Sequence, residues 1–487
     1  MAEAEQKEAT AGRVSFGQKL AFGVGMFANQ MFPAALQVFL VVLVQNLGFS
    51  PLAWGFIFFA PRLFDAITDP IMGFVSDNTR SKWGRRRQYV FIGAILLGLS
   101  YIAMWQLYKE NGLQFNFTYF MGLSLLFYLA LTIFSVPYVA MGYEMSEDFH
   151  ERTRIMAVAQ FVGQFAWIIA PWFWVILYDP SWFPNPDPAV EGAAPDMGVR
   201  QLAIWVAIPC SLCAMVPALF IRSQSTQDRE DLKPINWSAM SQSLKEIGRS
   251  TVDAFKIPQF RKLAFATFLV FNSFNIIANF TFFIVVHHLF SGDQSAAGIW
   301  PALHGCVGAT LTTFLVIPVV AMVSKKIGKR QTFVLSQSIS IIGYLLFWFL
   351  FVPGKPYLFL FALPFHSFGI GGLFTLMMSM TADVCDVDEL KNGQRREGSL
   401  GAVYWWMVKF GHAFAGLLAG MIMTFVGFDA KAVTESAMSG LLFAYTFLPI
   451  AGVVAAIAIM WNYDITEEYA EDVRRQLAEK KNGPVEA

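Results

Sequence analysis

Long apolar stretches recur along the chain, and short polar breaks separate them. Most of the stretches reach the roughly 20 residues that an α-helix needs to cross a bilayer. Their order, six stretches, a hydrophilic segment and six more, predicts an all-α polytopic membrane protein with 12 transmembrane helices in two six-helix halves. The predicted spans lie near residues 19–45, 52–75, 88–108, 117–142, 155–178 and 200–221, and near 260–289, 297–323, 332–352, 356–380, 400–427 and 438–462.

The remaining segments define the predicted domains. These are an N-terminal tail (1–18), an N-terminal half (19–221), a linker (222–258), a C-terminal half (259–462) and a C-terminal tail (463–487). The first tail is polar, so we expect no cleavable signal peptide. Apolar residues recur at helical spacing within the linker, which predicts an amphipathic helix on the membrane or on the inner face. The Pro- and Gly-rich break after the fifth span predicts an irregular outer loop.

Composition supports the membrane assignment. Hydrophobic residues make up 56% of the chain and charged residues 14%, whereas soluble domains average about 25% charged residues. The net charge is zero, so no nucleic acid or other polyanion is expected as a partner. Cys210 and Cys213 lie inside an apolar run, which favours buried packing over a disulfide or a metal site.

Basic residues are concentrated in the breaks after even-numbered spans. By the positive-inside rule, this bias predicts that both termini and the linker face the cytoplasm of a cell inner membrane. Two of these breaks, 73–87 and 323–331, are similar basic turns containing Gly84 and Gly328, six spans apart. The similarity predicts two repeated halves with a substrate site between them near mid-membrane.

Three ionisable residues share one face of the second predicted span. Arg62, Asp65 and Asp69 follow one another at spacings of three and four, and charge inside a bilayer is costly. Arg62 can neutralise one carboxylate as its charge partner, which leaves the other for a mobile cation, either Na⁺ or a proton. The alternative is a structural ion pair at a helix end, with Asp69 as a cap. Pro70 is expected to end or bend the helix.

Lys409 is the other charge expected inside the membrane. It lies in an apolar span and is predicted to face the central cavity, although a snorkelling lysine is the alternative. His412 shares its face as a proton carrier or, alternatively, as a packing residue.

Acidic and basic residues end the fourth and tenth spans. They predict a cytoplasmic gate of opposite charges or, alternatively, ordinary solvated loops. The residues are Arg152, Arg154, Asp383, Asp386, Glu389, Arg395 and Arg396.

Several motifs together resemble those of the glycoside–pentoside–hexuronide:cation symporters, a family of the major facilitator superfamily that includes the melibiose carrier. The motifs are DAITDP (65–70), SDNTRSKWGRRR (76–87), SVPY (135–138), HERTR (150–154) and ADVCDVDELKNGQRREGS (382–399). The resemblance extends over both halves, from about residue 15 to residue 460. It implies the major facilitator fold and cation-coupled symport by alternating access.

The same resemblance implies roles for individual residues. Asp65, Asp69 and Thr132 match the family's cation site, and Thr68 stands where the melibiose carrier has an asparagine. Lys409 matches the lysine that links the cation site to the sugar cavity. Arg152, Asp383, Asp386 and Arg395 match the family's inner gate.

The chain departs from the melibiose carrier at the sugar clamp. Asn29, Gln30, Ser135 and Gln160 replace its charged residues, and Val139 replaces its stacking tryptophan. The neutral groups can still bind hydroxyls. A sugar or glycoside is therefore the leading substrate, and an amphiphile such as a lysolipid is the alternative.

The combined prediction is a symporter and not an enzyme. It needs a small-molecule substrate, a coupling cation and a lipid bilayer, and it is expected to be a monomer without a cofactor. A membrane-embedded enzyme, a channel and a non-transporting sensor are the rival classes. The chain holds no metal-spaced or acyltransferase-like set that would favour an enzyme, and it keeps the buried charges that a sensor would have lost.

Overall fold

The computed structural model describes residues 14–146, 148–187, 192–221, 225–227, 232–393 and 396–482. Helices dominate this part of the chain, and an isolated antiparallel bridge joins Pro184 to Ala193. The predicted all-α polytopic fold is confirmed.

The helices up to residue 221 correspond to the first six predicted spans. They are α1 (Phe16–Gln45), α2 (Pro51–Asp77), α3 (Arg87–Met104), α4 (Leu113–Glu144), α5 (Phe149–Ile169), α6 (Trp172–Tyr178) and α7 (Pro195–Phe220), with a short 3₁₀ helix at Lys109–Asn111. The fifth span is thus divided into α5 and α6, which are separated at Pro171.

The second half of the chain begins with the linker helix, which the apolar spacing predicted. The helices are α8 (Trp237–Lys256), α9 (Pro258–Ile284), α10 (Gln294–Ala297), α11 (Trp300–Leu311), α12 (Ile317–Ile327), α13 (Lys329–Leu350), α14 (Leu363–Asn392), α15 (Glu397–Phe425), α16 (Glu435–Trp461) and α17 (Glu467–Asn482). Short π-helices occupy Val285–Leu289 and Thr312–Val316, and a 3₁₀ helix occupies Pro356–Ala362.

Among the described residues, 11 helical stretches are long and apolar enough to cross a membrane. The remaining predicted span is α2, which is 27 residues long. Its length suffices, because a helix rises about 1.5 Å per residue. Arg62, Asp65 and Asp69 lower its apolar character, so the helix that departs from the pattern is the one that carries the candidate site.

α2 also corrects the expectation at Pro70. The helix continues through Pro61 and Pro70 to Asp77, although proline cannot donate a backbone N–H. Asp69 therefore lies inside the helix and does not cap its end.

The chain forms two compact units, Met1–Leu244 and Lys245–Ala487. In the first unit, α1 packs against α5 and α7, while α4 packs against α2 and α3. In the second unit, α9 packs against α14, α15 and α16, and α17 packs against α14. Each unit thus has a core of its own.

A basic turn connects α2 to α3 in the first unit. Gly84 has a φ of 89°, a conformation that glycine adopts at little cost. Arg85 then forms an ion pair with Glu144 at the end of α4. Arg87 donates from Nε to the carbonyl oxygen of Ala218 near the end of α7, at 2.6 Å.

The second unit repeats these contacts after α12. Gly328 has a φ of 80°, and Lys329 Nζ lies 2.6 Å from a carboxylate oxygen of Asp383 in α14. Arg330 donates to the carbonyl oxygen of Trp461 at the end of α16. In both units one basic residue of the turn binds a carboxylate, and another binds a backbone carbonyl oxygen near the end of the last long helix of that unit's six spans. This similarity supports the predicted repeat.

Candidate functional site

The predicted cation-binding residues face one another across α2 and α4. Asp65, Thr68 and Asp69 lie within about one turn of α2, and Thr132 lies on α4. Arg62, one turn before Asp65, lies over the ring of Tyr128 on α4. The polar face of α2 therefore faces α4.

The Thr132 hydroxyl oxygen lies at the centre of this group. It is 2.7 Å from Asp65 Oδ1 and 3.0 Å from Asp69 Oδ1. It is also 3.2 Å from the hydroxyl oxygen of Thr68. A threonine hydroxyl has one proton, so Thr132 can donate to only one of the two carboxylates at a time.

The site is shielded from solvent. Asp65 is 5% exposed, Thr68 8% and Thr132 1%, while Asp69 is half-buried. A buried carboxylate needs a compensating charge or it takes up a proton. Two carboxylates that contact one hydroxyl are therefore candidates for holding a cation together.

Arg62 supplies fixed positive charge near this face. Its guanidinium carbon lies 5.9 Å from the ring centre of Tyr128, a cation–π arrangement on α4. No described residue accepts a hydrogen bond from its buried Nε atom.

The donor set is made entirely of oxygen atoms. Two carboxylates and two hydroxyls converge, and the backbone oxygen of Asp65 lies 3.3 Å from Thr68 Oγ1. Oxygen ligands suit hard cations, whereas nitrogen and sulfur ligands suit transition metals. The arrangement can hold a small hard cation or a proton on one carboxylate.

Asn29 and Gln30, predicted to bind substrate, lie half-buried on α1. Trp167 on α5 donates from Nε1 to Gln30 Oε1 at 3.1 Å. The amide nitrogens of Asn29 and Gln30 lie 3.7 Å and 4.0 Å from the sulfur of Met26. The structure thus brings the two amides together and places Trp167 beside them, a contact that the sequence did not predict.

Ser135 and Gln160 complete the predicted substrate set in the first unit. Ser135 is half-buried and follows Thr132 by about one turn of α4. Gln160 is exposed on α5, about two turns before Trp167 and therefore on the same side of that helix.

Lys409 and His412 lie inside α15 in the second unit, and both are half-buried. The His412 ring packs against Phe271 of α9 with 6.3 Å between ring centres. Asn272 Nδ2 donates to the carbonyl oxygen of Gly411 at 3.3 Å. The turn of α15 that follows Lys409 therefore packs against α9.

The structure describes three of the four predicted gate residues, Arg152, Asp383 and Asp386. Asp383 is buried and pairs with Lys329, and Arg474 of α17 lies 3.9 Å from its other oxygen. Arg152 and Asp386 are half-buried on α5 and α14, and Arg395 lies outside the described residues.

Asp388 is a buried charged residue that was not among the predicted gate residues. It is 3% exposed and accepts hydrogen bonds from Arg396 Nε and Nη2 at 2.7 Å and 2.6 Å. This hydrogen bonding raises the pKa of the Arg396 guanidinium. Asp388 follows Asp386 by two positions, and the spacing alone does not reveal which carboxylate is buried.

The family model for MFS/sugar transport proteins matches residues 21–467. A glucuronide carrier protein homolog of Escherichia coli (strain K12) is 24% identical over 475 residues, which cover 96% of this chain and 97% of the relative. The isoprimeverose transporter of Lactiplantibacillus pentosus is 22% identical over 459 residues, with 92% and 88% covered.

Solved structures show the same fold. A D-xylose–proton symporter has a TM-score of 0.62 at 16% identity, covering 92% of this chain and 97% of its own. The nucleoside transporter NupG has a TM-score of 0.61 at 14% identity, covering 92% of this chain and 100% of its own. Both are transporters of the fold predicted from the sequence.

Proposed function

Because the chain belongs to the MFS/sugar transport protein family, we propose that it is a Na⁺-coupled symporter that imports a sugar-type solute. Family membership makes the chain a transporter and not an enzyme. The glucuronide carrier homolog and the isoprimeverose transporter support a sugar or glycoside as the solute.

The contact of the Thr132 hydroxyl with both Asp65 and Asp69 carries the proposal of a coupling ion. The two carboxylates approach one another at this hydroxyl, and their negative charges repel. A Na⁺ ion between them removes the repulsion and can use the lone pairs of Thr132 and Thr68 as neutral ligands. A proton would neutralise one carboxylate but would not need the two hydroxyls.

The coupling mechanism follows from α4. Thr132 binds the cation, and Ser135 is one turn further along the same helix. An ion that fixes α4 against α2 therefore also fixes the position of Ser135. We propose that the solute then binds at Asn29, Gln30, Ser135 and Gln160, and that the doubly loaded carrier changes its access.

The orientation is proposed from the distribution of charge. Basic turns such as that at Arg85–Arg87 face the cytoplasm by the positive-inside rule. Both termini then lie on the cytoplasmic side of the inner membrane. The cation enters from outside, down its gradient.

Neutralising the aspartates tests the site. Asp65→Asn and Asp69→Asn should each abolish uptake driven by a Na⁺ gradient in proteoliposomes, because an amide cannot balance the charge of Na⁺. Asp187→Asn in the exposed outer loop is the matched control and should transport normally. Size-exclusion profiles should show that all three variants are folded.

The ion itself is tested by imposing Na⁺ and pH gradients separately. Uptake should follow the Na⁺ gradient at equal pH on both sides. Uptake that follows only the pH gradient would show that H⁺, and not Na⁺, is the coupling ion. Normal accumulation by Asp65→Asn would contradict the proposed cation site.

A further inference from the structure

We propose that Trp167 is a positioning residue that makes Asn29 and Gln30 a hydrogen-bond donor site, which selects solutes bearing a carboxylate. The inference rests on the proposed function, because it concerns the solute of the same carrier. It applies to the interface of α1 and α5 within the first unit.

The bond from Trp167 determines the orientation of Gln30. An indole N–H can only donate, so the Gln30 atom 3.1 Å from Trp167 Nε1 must be the carbonyl oxygen. The protein thereby holds the oxygen of this amide towards Trp167. The NH₂ group has to point the other way, and it remains available as a donor.

The sulfur of Met26 lies next to the donors of both amides. The thioether has no hydrogen and is only a weak acceptor, so an amide beside it presents its NH₂ group. The distances from the sulfur are 3.7 Å for Asn29 Nδ2 and 4.0 Å for Gln30 Nε2. A solute with a stronger acceptor can replace the sulfur at little cost.

Close packing of the helices restricts the arrangement. A β-carbon at Gly163 would lie 2.8 Å from Met26 Cγ and 3.3 Å from Gln30 Cγ. Gly163 therefore lets α5 approach the turn of α1 that holds Met26 and Gln30. Trp167, one turn beyond Gly163, reaches Gln30 from this close position.

The chemistry favours a carboxylate over a hydroxyl. A carboxylate accepts from two amide donors, and bonds to a charged acceptor are about twice as strong as neutral ones. A sugar hydroxyl also brings a proton, which needs an acceptor, and the Gln30 oxygen is turned towards Trp167 and away from the Gln30 donors. Asn29, Gln30, Ser135 and Gln160 carry no negative charge that would repel an acidic solute.

The test compares two compounds that differ in one group. Phenyl β-D-glucuronide carries a carboxylate where phenyl β-D-glucoside carries a hydroxymethyl. In proteoliposomes with an inward Na⁺ gradient, wild-type protein should take up the glucuronide with at least about tenfold higher kcat/KM, as expected for one charged hydrogen bond.

Two variants change the donor site. Trp167→Phe keeps an aromatic ring but removes the indole N–H, so Gln30 can rotate and the preference should fall to about threefold or less. Gln30→Glu replaces donors by negatively charged oxygen, and it should lose the glucuronide while still taking up the glucoside.

Trp174→Phe is the matched control. Trp174 Nε1 donates to the carbonyl oxygen of Val38 at 2.9 Å, so this variant also removes an indole bond to α1. Its preference should equal that of wild type, even if its thermal stability is lower.

The possible outcomes separate the two proposals. A wild-type preference for the glucoside, no uptake of the glucuronide, or equal preferences in wild type and Trp167→Phe would overturn the donor site alone. Loss of Na⁺ dependence for every compound would instead overturn the proposed symport.

Discussion

The Thr132 hydroxyl contacts two carboxylates but carries one proton. We therefore expect it to stabilise the site more when a cation is bound than when none is. With Na⁺ bound, the oxygen serves as a ligand and its proton is free to bond to either aspartate. The affinity for Na⁺ should therefore depend on this hydroxyl and not on the size of the side chain.

Thr132→Val keeps the shape of the side chain and removes the hydroxyl. Hydrogen bonds to charged groups contribute about 1.5–3 kcal/mol, so Na⁺ affinity measured by calorimetry should fall about tenfold to a hundredfold. Thr132→Ser keeps the hydroxyl and should stay within about threefold of wild type. Equal affinities in the valine and serine variants would exclude the hydroxyl as a ligand.

The sequence predicts these residues to different degrees. Asp65 and Asp69 stand out because charge inside an apolar span needs a reason, and their spacing places them on one face. The bond between Trp167 and Gln30 joins positions 137 residues apart. Helical periodicity identifies the face of each helix, but it does not identify the helix that packs against that face.

At the scale of helices, α17 departs most from the expected organisation. The sequence assigned residues 463–487 to a tail, whereas the structure has a helix at Glu467–Asn482 that packs against α14. Ala470, Val473 and Leu477 are buried in the core of the second unit. The helix is mostly charged, so its narrow apolar stripe gives only a weak signal in the sequence.

The stripe of α17 gives a prediction for stability. Val473 is 1% exposed, and Val473→Asp would bury a charge or detach the helix, at a cost of about 2–4 kcal/mol. The Tm should fall by several degrees and trypsin should cleave within α17 earlier. Ala478→Asp changes an exposed position of the same helix and should leave both unchanged; an equal fall in Tm would show that α17 is not packed.

At the scale of the whole molecule, the two units use the same basic turn. The sequence predicts the turns themselves, because Gly84 and Gly328 are each followed by basic residues. It does not predict their partners, since Arg85 and Glu144 are 59 positions apart and Arg87 and Ala218 are 131 apart. Such pairs depend on which helices become neighbours.

A symporter must also couple its two ligands. If Na⁺ raises solute affinity by some factor, the solute must raise Na⁺ affinity by the same factor. Calorimetry with each ligand, in the presence and absence of the other, should give two equal factors of about 5–150, the range typical of such coupling.

Lys409→Gln should lower that factor towards one, because the resemblance gives Lys409 the role of linking cation to solute. Na⁺ should still bind in this variant, since the four predicted ligands Asp65, Asp69, Thr68 and Thr132 are unchanged. Lys431→Gln removes the same charge from an exposed position and should keep the wild-type factor. Full coupling in Lys409→Gln would assign the link to other residues, whereas loss of Na⁺ binding would mean that Lys409 supports the cation site itself.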